Sequence, residues 1–442
     1  MAKVIAHIRL HALTWLCMVI CAAATLMGIL QVARRMRVFP YIDDWWYISP
    51  FIKGFNWSFV EYLFQLHNDH RIPIQKLLHA SLLWATGYDF RYLVALNFLA
   101  AGAAAVFLVL AAKNYRGHNS LGDLAIPFLL CIFGASWTFI GFNFQFLSCI
   151  LCAAAFLYFV SVYQAHGRQR DMAIALWVMF ACSWCGMNGV VLSLICLAGT
   201  GMYIFLNRPR FGLSVWAVLI AGVASCILVI ALWRPSPVSD ELATLFQILR
   251  FSWQMSAASL SQWASPHKLL KWAVIAALCI AGLWSYIRTR AYKTPFGAAL
   301  GSVWVASFML IAAVAKGRAG QGQWNSGFDG HYGYLAALIP ALAWIALSVS
   351  KRMAQGASLL VAAFFGIAAV HNYVWRIDYA RYQEPTFVMV QKKIASNVPA
   401  LEIVNEDFDA LYMGDNRAAL KQYLATSIDA LRTHGGAIYR PR

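Results

Sequence analysis

Apolar stretches of roughly 18 residues or more recur from the start of this chain to about residue 372, and each is long enough to cross the hydrocarbon core of a bilayer. A soluble chain needs polar side chains to cover its surface. Here apolar residues make up 61% of 442 and charged residues only 12%, against about a quarter charged in soluble domains. The chain therefore reads as an all-α polytopic membrane protein. Only the part beyond Arg376 reads as water-soluble.

The apolar runs predict about eleven spanning helices, at 11–32, 90–112, 122–139, 146–165, 172–185, 188–206, 213–233, 269–287, 296–315, 332–350 and 357–373. The first run is too long for a signal-peptide core and reads as a retained helix. With 35 Lys+Arg against 18 Asp+Glu the chain carries +17. That excess sits in short turns between apolar runs, so it reports membrane orientation rather than nucleic-acid binding. Every turn on the N-terminal side carries at least two basic residues, such as Lys113 and Arg116, Arg168 and Arg170, or Arg288, Arg290 and Lys293. The shortest opposite loops, Phe142–Gln145 and Gly186–Gly189, carry none. The positive-inside rule then predicts a bacterial-type inner-membrane protein with its N-terminus cytoplasmic and, after eleven crossings, its C-terminus periplasmic. Arg34, Arg35 and Arg37 break the bias, and binding of anionic lipid or a phosphate is one reason for them to stand there.

The ten cysteines all lie in apolar segments, and the C-x-x-C spacings of Cys149/Cys152 and Cys182/Cys185 read as small packing residues of helices. Two units follow: residues 1–375 as a membrane domain, and 376–442 as a small, partly helical outer segment too short to fold well without docking on the rest. Within the first, residues 33–89 form a long outer loop with two helices, Trp57–Leu66 and Ile74–Thr86, lying in the interface plane. In the second of these, Gln75, Lys76 and His79 share the polar side.

Eight of the acidic residues lie in the tail and five, Asp43, Asp44, Glu61, Asp69 and Asp89, in the first outer loop. Ion-coupled transporters place ionisable groups near the bilayer midplane, and that signature is missing. Three clusters stand outside the spans instead. In Tyr41-Ile-Asp43-Asp44-Trp-Trp-Tyr47, adjacent carboxylates suit a general base or a metal ligand, because like charges raise the pKa of one member; two solvated aspartates in an interfacial aromatic belt fit the same residues. In His67-Asn68-Asp69-His70-Arg71, a His/Asp/His set suits a divalent cation held with Asp43 or Asp44, hydrogen bonds to an acceptor sugar, or a helix cap. In the Gly-rich outer loop Lys316–His331, which runs on to Tyr332, Lys316, Arg318 and His331 suit neutralisation of a phosphate. This loop lacks the G-K-[ST] ending of a nucleotide P-loop.

The pattern around the first of these clusters resembles the GT-C superfamily of membrane glycosyltransferases, which includes protein O-mannosyltransferases and the lipid A aminoarabinose transferases. The resemblance rests on a first span followed by Asp43-Asp44-x-x-Tyr47, on juxtamembrane helices, on His70-Arg-Ile-Pro73-Ile-Gln-Lys76 leading through an apolar helix to Gly87, and on Arg91 opening the second span. One proline stands where the family has two. The resemblance covers residues 10–112 by motif, and the other spans by architecture. It implies a polyprenyl-phosphate-linked sugar donor and inverting transfer to a hydroxyl of a glycan, lipid or protein at the outer face. Asp43 is then the catalytic base with Asp44 beside it, and Arg71, Lys76, Lys316, Arg318 and His331 are candidates for the leaving phosphate. His67, Asp69, His70 and Tyr332 join as substrate contacts, and a divalent cation would fall to Asp43, Asp44 and Asp69. A glycan polymerase or ligase of the same fold, a lipid or polysaccharide transporter and an envelope scaffold are the competing readings.

Overall fold

A computed structural model describes residues 2–53, 57–67, 70–134, 136–207, 209–234, 243–260, 268–320, 330–396, 398–412 and 417–439. Among them every regular element is helical. Helix α1 (Ala2–Arg35) is followed by three short helices of the first loop, α2 (Ser49–Lys53), α3 (Trp57–Phe64) and α4 (Pro73–Ala85). The bundle continues with α5 (Arg91–Arg116), α6 (Ala125–Leu130), α7 (Phe144–His166), α8 (Gln169–Cys182), α9 (Met187–Asn207) and α10 (Leu213–Ala231). Then come α11 (Leu245–Ala258), α12 (Lys268–Arg288), α13 (Pro295–Arg318), α14 (Gly330–Ala336) and α15 (Leu338–Leu347). The 44-residue α16 (Lys351–Ile394) leads to α17 (Ala400–Glu406), α18 (Phe408–Leu411) and α19 (Ala418–His434).

Among the described residues eight helices, α1, α5, α7, α9, α10, α12, α13 and α16, are long and apolar enough to cross a membrane, as in a polytopic bundle. Their outward side chains fit lipid rather than water: Leu213, Phe205, Leu360 and Ile367 are almost wholly exposed. Close approach of α1 to α5 depends on two glycines. A Cβ on Gly28 would lie 2.2 Å from the Phe98 ring, and one on Gly102 2.2 Å from Thr25 Oγ1, the small-residue packing that membrane helices use.

The remaining three expected spans differ in length. Residues 122–139 yield only the short helical run Leu121–Leu130, followed by irregular backbone that passes Gly134 tightly against Asn372. Residues 172–185 yield the 14-residue α8, ended by a turn at Gly186 with φ +92°. Residues 332–350 are split between α14 and α15, and Pro340 lies inside the latter. Ten to sixteen residues reach only about 15–24 Å at 1.5 Å per residue; Leu121–Leu130 and Leu338–Leu347 are largely buried by longer neighbours, whereas α8 leaves Ile174 and Trp177 exposed.

At the end opposite the site, Asp123 is fully buried and fully used. It accepts from Arg116, from Asn119 Nδ2 at 2.8 Å and from Trp344 Nε1 at 2.8 Å, and caps its own turn through Ser120 N at 2.9 Å. The ten cysteines are free thiols, with Cys149, Cys182 and Cys185 buried between α7 and α8.

Helix α16 runs without a break past residue 375, and the chain after it docks on the first outer loop. Trp45 Nε1 donates to Leu411 O at 2.9 Å, Tyr423 Oη to Trp45 O at 2.9 Å, and Tyr439 Oη to Tyr88 O at 2.8 Å. Phe39, Trp45, Leu83 and Phe90 of the loop share one core with Ile394, Ile403, Leu424 and Ile428 of the tail. The loop and the tail therefore sit at the same end of the bundle, and each supplies the apolar surface the other lacks.

Candidate active site

Asp43 and Asp44 lie in a 3-10 helix, Ile42–Ile48, directly after the first span. Ile42 opens it with φ +53°, a left-handed conformation that a β-branched residue rarely takes and that costs about 1–3 kcal/mol. Burial of the Ile42 side chain and the bond from Asp44 N to Tyr41 O at 3.1 Å hold it there. The two carboxylates meet different surroundings. Asp43 is partly buried and lines a cavity of about 650 Å³. Asp44 is 1% exposed and accepts from Gly141 N at 3.1 Å and Phe142 N at 2.7 Å, with Arg37 Nη2 at 3.9 Å.

Burial pushes the Asp43 carboxyl up to about 6, and the Arg318 guanidinium opposes it. Asp44 is pushed up to about 7, again chiefly by burial, against Arg37 and the two amides; the charge of Asp43 contributes least. Removal from water, rather than the like-charge repulsion inferred from adjacency, therefore sets both values. Asp44 fixes the Gly141–Asn143 turn that begins α7, and Asp43 alone of the pair faces the cavity.

The second cluster divides. His70 lines the cavity, and its Nδ1 accepts from Met187 N at 3.4 Å. His67 pairs with His70 through backbone bonds, but its ring is buried against Phe142 at 4.5 Å between centroids, and burial pushes it down to about 3. Asn68 and Asp69 lie outside the described residues. Arg71, expected near phosphate, instead donates to Leu232 O at 2.9 and 3.2 Å and to Phe64 O, capping the ends of α10 and α3. Lys76 likewise donates to Tyr62 O and Gln65 O, both at 2.7 Å, and lies over the Tyr62 ring; burial pushes it down to about 7. Both cations are engaged by backbone carbonyls, and neither is among the residues lining the cavity. The polar side of α4 thus faces protein: Gln75, Lys76 and His79 are buried, while Ile74, Leu77 and Trp84 are exposed.

Lys316 and Arg318, at the C-terminal end of α13, line the same cavity as Asp43 and His70, as does Tyr332, whose ring packs edge-on to Phe251. The backbone of His331 begins α14, and its side chain is outside the described residues. Among the described residues no three His, Cys, Asp or Glu side chains converge as metal ligands. The Asp43–Asp44 pair also looks in two directions, so a divalent-cation set is not assembled from them.

Sequence reasoning missed the carboxamides Asn143, Gln145 and Asn188, which line the cavity from the two short loops singled out only for lacking charge. The available signal was three amides in otherwise apolar turns at helix starts. Those starts matter electrostatically as well: α7 and α9 both begin at this cavity, and the partial positive charge of a helix N-terminus favours anions. Compared with protein-family models and with curated proteins, the chain matches none.

Proposed function

We propose that the protein is a GT-C-type inverting glycosyltransferase that moves a sugar from a polyprenyl-phosphate donor to a hydroxyl acceptor at the outer face of a bacterial inner membrane. The observation that carries this reading is a cavity of about 650 Å³ lined by Asp43 together with Lys316 and Arg318. Its size suits a small-molecule site. Asp43, with its carboxyl near 6, is ionised at neutral pH yet still basic enough to take a proton.

In the proposed reaction Asp43 removes the proton of the acceptor hydroxyl, whose oxygen forms the new bond to the anomeric carbon. The bond from that carbon to the phosphate oxygen breaks with inversion, and polyprenyl phosphate leaves with the electron pair. No acid is needed at the leaving group, because Lys316, Arg318 and the starts of α7 and α9 stabilise its charge. The apolar lining from Trp233, Leu310 and Val314 suits the first isoprene units, and the rest of the lipid follows the apolar exterior. In this reading the short segments complete eleven crossings, and the basic turns on the N-terminal side put the N-terminus in the cytoplasm, with the cavity and the docked tail outside. Mass analysis of envelope glycans and glycoproteins from a deletion strain tests the reading. One sugar should disappear from a specific acceptor and an unused lipid-linked donor should accumulate; an unchanged envelope contradicts it.

A further inference from the structure

We infer that the first turns of α7 and α9 form a hydroxyl-recognition subsite, in which Gln145 and Asn188 read the sugar carried by the lipid phosphate. This inference rests on the transferase reading and names the part of the cavity that tells the sugar apart from its carrier. Gln145 is 1% exposed and Asn188 5%, both line the cavity, and among the described residues Gln145 Oε1 and Asn188 Nδ2 have no hydrogen-bond partner. Buried polar atoms in native proteins are almost always paired, and an unpaired one is unfavourable enough to point to a missing partner.

The chemistry of the two atoms narrows that partner. Gln145 Oε1 only accepts and Asn188 Nδ2 only donates. A phosphate oxygen would satisfy Asn188 but not Gln145, and an isoprenoid chain would satisfy neither. A hydroxyl donates and accepts, so a polyhydroxylated ring satisfies both. Phe142 and Phe146 border the same space and offer apolar surface to the C–H face of such a ring.

Both carboxamides are held rigidly. The Asp44 carboxylate fixes the amides of Gly141 and Phe142, and Gln75 Nε2 donates to Phe142 O at 3.0 Å, so the turn that leads to Gln145 is clamped from two sides. Asn188 stands in the first turn of α9, after a connection that only glycine permits. Gly186 has φ +92°, and a Cβ on Gly189 would fall 1.9 Å from Cys182 O. Neutral, preorganised hydrogen-bonding groups of this kind reject ligands that lack the matching hydroxyl, because the site's own groups are then left unpaired.

The test uses the full chain in lipid nanodiscs and measures Kd for farnesyl phosphate and for its mannose, glucose, galactose and N-acetylglucosamine esters. The wild type should bind at least one sugar ester about tenfold or more tighter than farnesyl phosphate. Gln145→Met and Asn188→Leu, each close in shape to the original, should remove that preference and leave farnesyl phosphate binding unchanged. If either isostere fails to fold by gel filtration, the Ala variant at that position replaces it. Two results overturn the subsite: a wild type that binds farnesyl phosphate but prefers none of the four esters, or variants that retain the wild-type preference. Failure of the wild type to bind farnesyl phosphate or any ester overturns the donor reading itself.

Discussion

Replacing Asp44 by Asn should damage the fold and spare the chemistry. The Asp44 carboxylate accepts two amide bonds, at 3.1 and 2.7 Å, and sits 3.9 Å from the buried Arg37. Asn keeps one acceptor oxygen but turns an N–H toward the other backbone N–H, and it leaves Arg37 with Phe139 O and the Tyr41 and Phe387 rings as its remaining partners. A hydrogen bond to a charged group contributes about 1.5–3 kcal/mol, and breaking a buried ion pair costs about 3–5 kcal/mol. Burial pushes the Asp44 carboxyl to about 7, so at neutral pH part of the charge is already neutralised and the lower range applies. We expect a loss of about 2–3 kcal/mol for Asp44→Asn and more for Asp44→Ala. Thermal unfolding in nanodiscs reads the loss, and transfer activity per folded molecule reads the chemistry. The latter should fall far less than the hundredfold or more that loss of a general base brings. Wild-type stability combined with abolished transfer would refute the structural role and return Asp44 to the catalytic pair.

Two further outcomes follow from the titrating groups. In the proposed reaction Asp43 acts as its carboxylate, so kcat/KM should decline as pH falls through about 6; Arg318→Gln removes the charge that holds this value down and should move the acid limb to higher pH. The same substitution should lower donor use on the order of ten- to a hundredfold, and an unmoved limb would separate Arg318 from Asp43. His79 is fully buried, among the described residues neither ring nitrogen has a hydrogen-bond partner, its ring lies edge-on to Tyr47 at 4.6 Å, and burial pushes it down to about 3 from 6.5. A folded-state value below the unfolded one means its stability contribution is present above pH 6.5 and lost as pH falls through about 3. His79→Phe should therefore stabilise the protein by about 1 kcal/mol and flatten the acid side of the unfolding profile; an unchanged profile would contradict this.

The membrane helices were legible because lipid imposes length and apolarity directly on the sequence. The shortness of the helices within 122–139, 172–185 and 332–350 was not, since nothing in residues 122–139 announces that Gly134 must pass Asn372 within contact distance. Amphipathicity located α4 but not its orientation: a polar face at an interface serves water or protein equally, and here Lys76 binds carbonyls of the same loop and Gln75 the Phe142 carbonyl before α7. Adjacency presented Asp43 and Asp44 as equals. Their difference comes from amides almost a hundred residues away, which no local pattern encodes. Of the stretch read as a Gly-rich loop, Lys316, Arg318 and Tyr332 share a cavity with Asp43, the first two as the last turn of α13. Gln145 and Asn188 escaped notice because attention followed charge, whereas neutral carboxamides are what a hydroxyl requires.

The most direct test of Asp43 as the catalytic base is Asp43→Asn, returned to the deletion strain and assayed for transfer at matched amounts of folded protein. Asn preserves shape but takes no proton, and removal of a carboxylate whose ionisation burial opposes should leave the thermal midpoint at or above that of the wild type. The account predicts a fall in transfer of roughly a hundred- to ten-thousandfold. Wild-type glycosylation by this variant would contradict it.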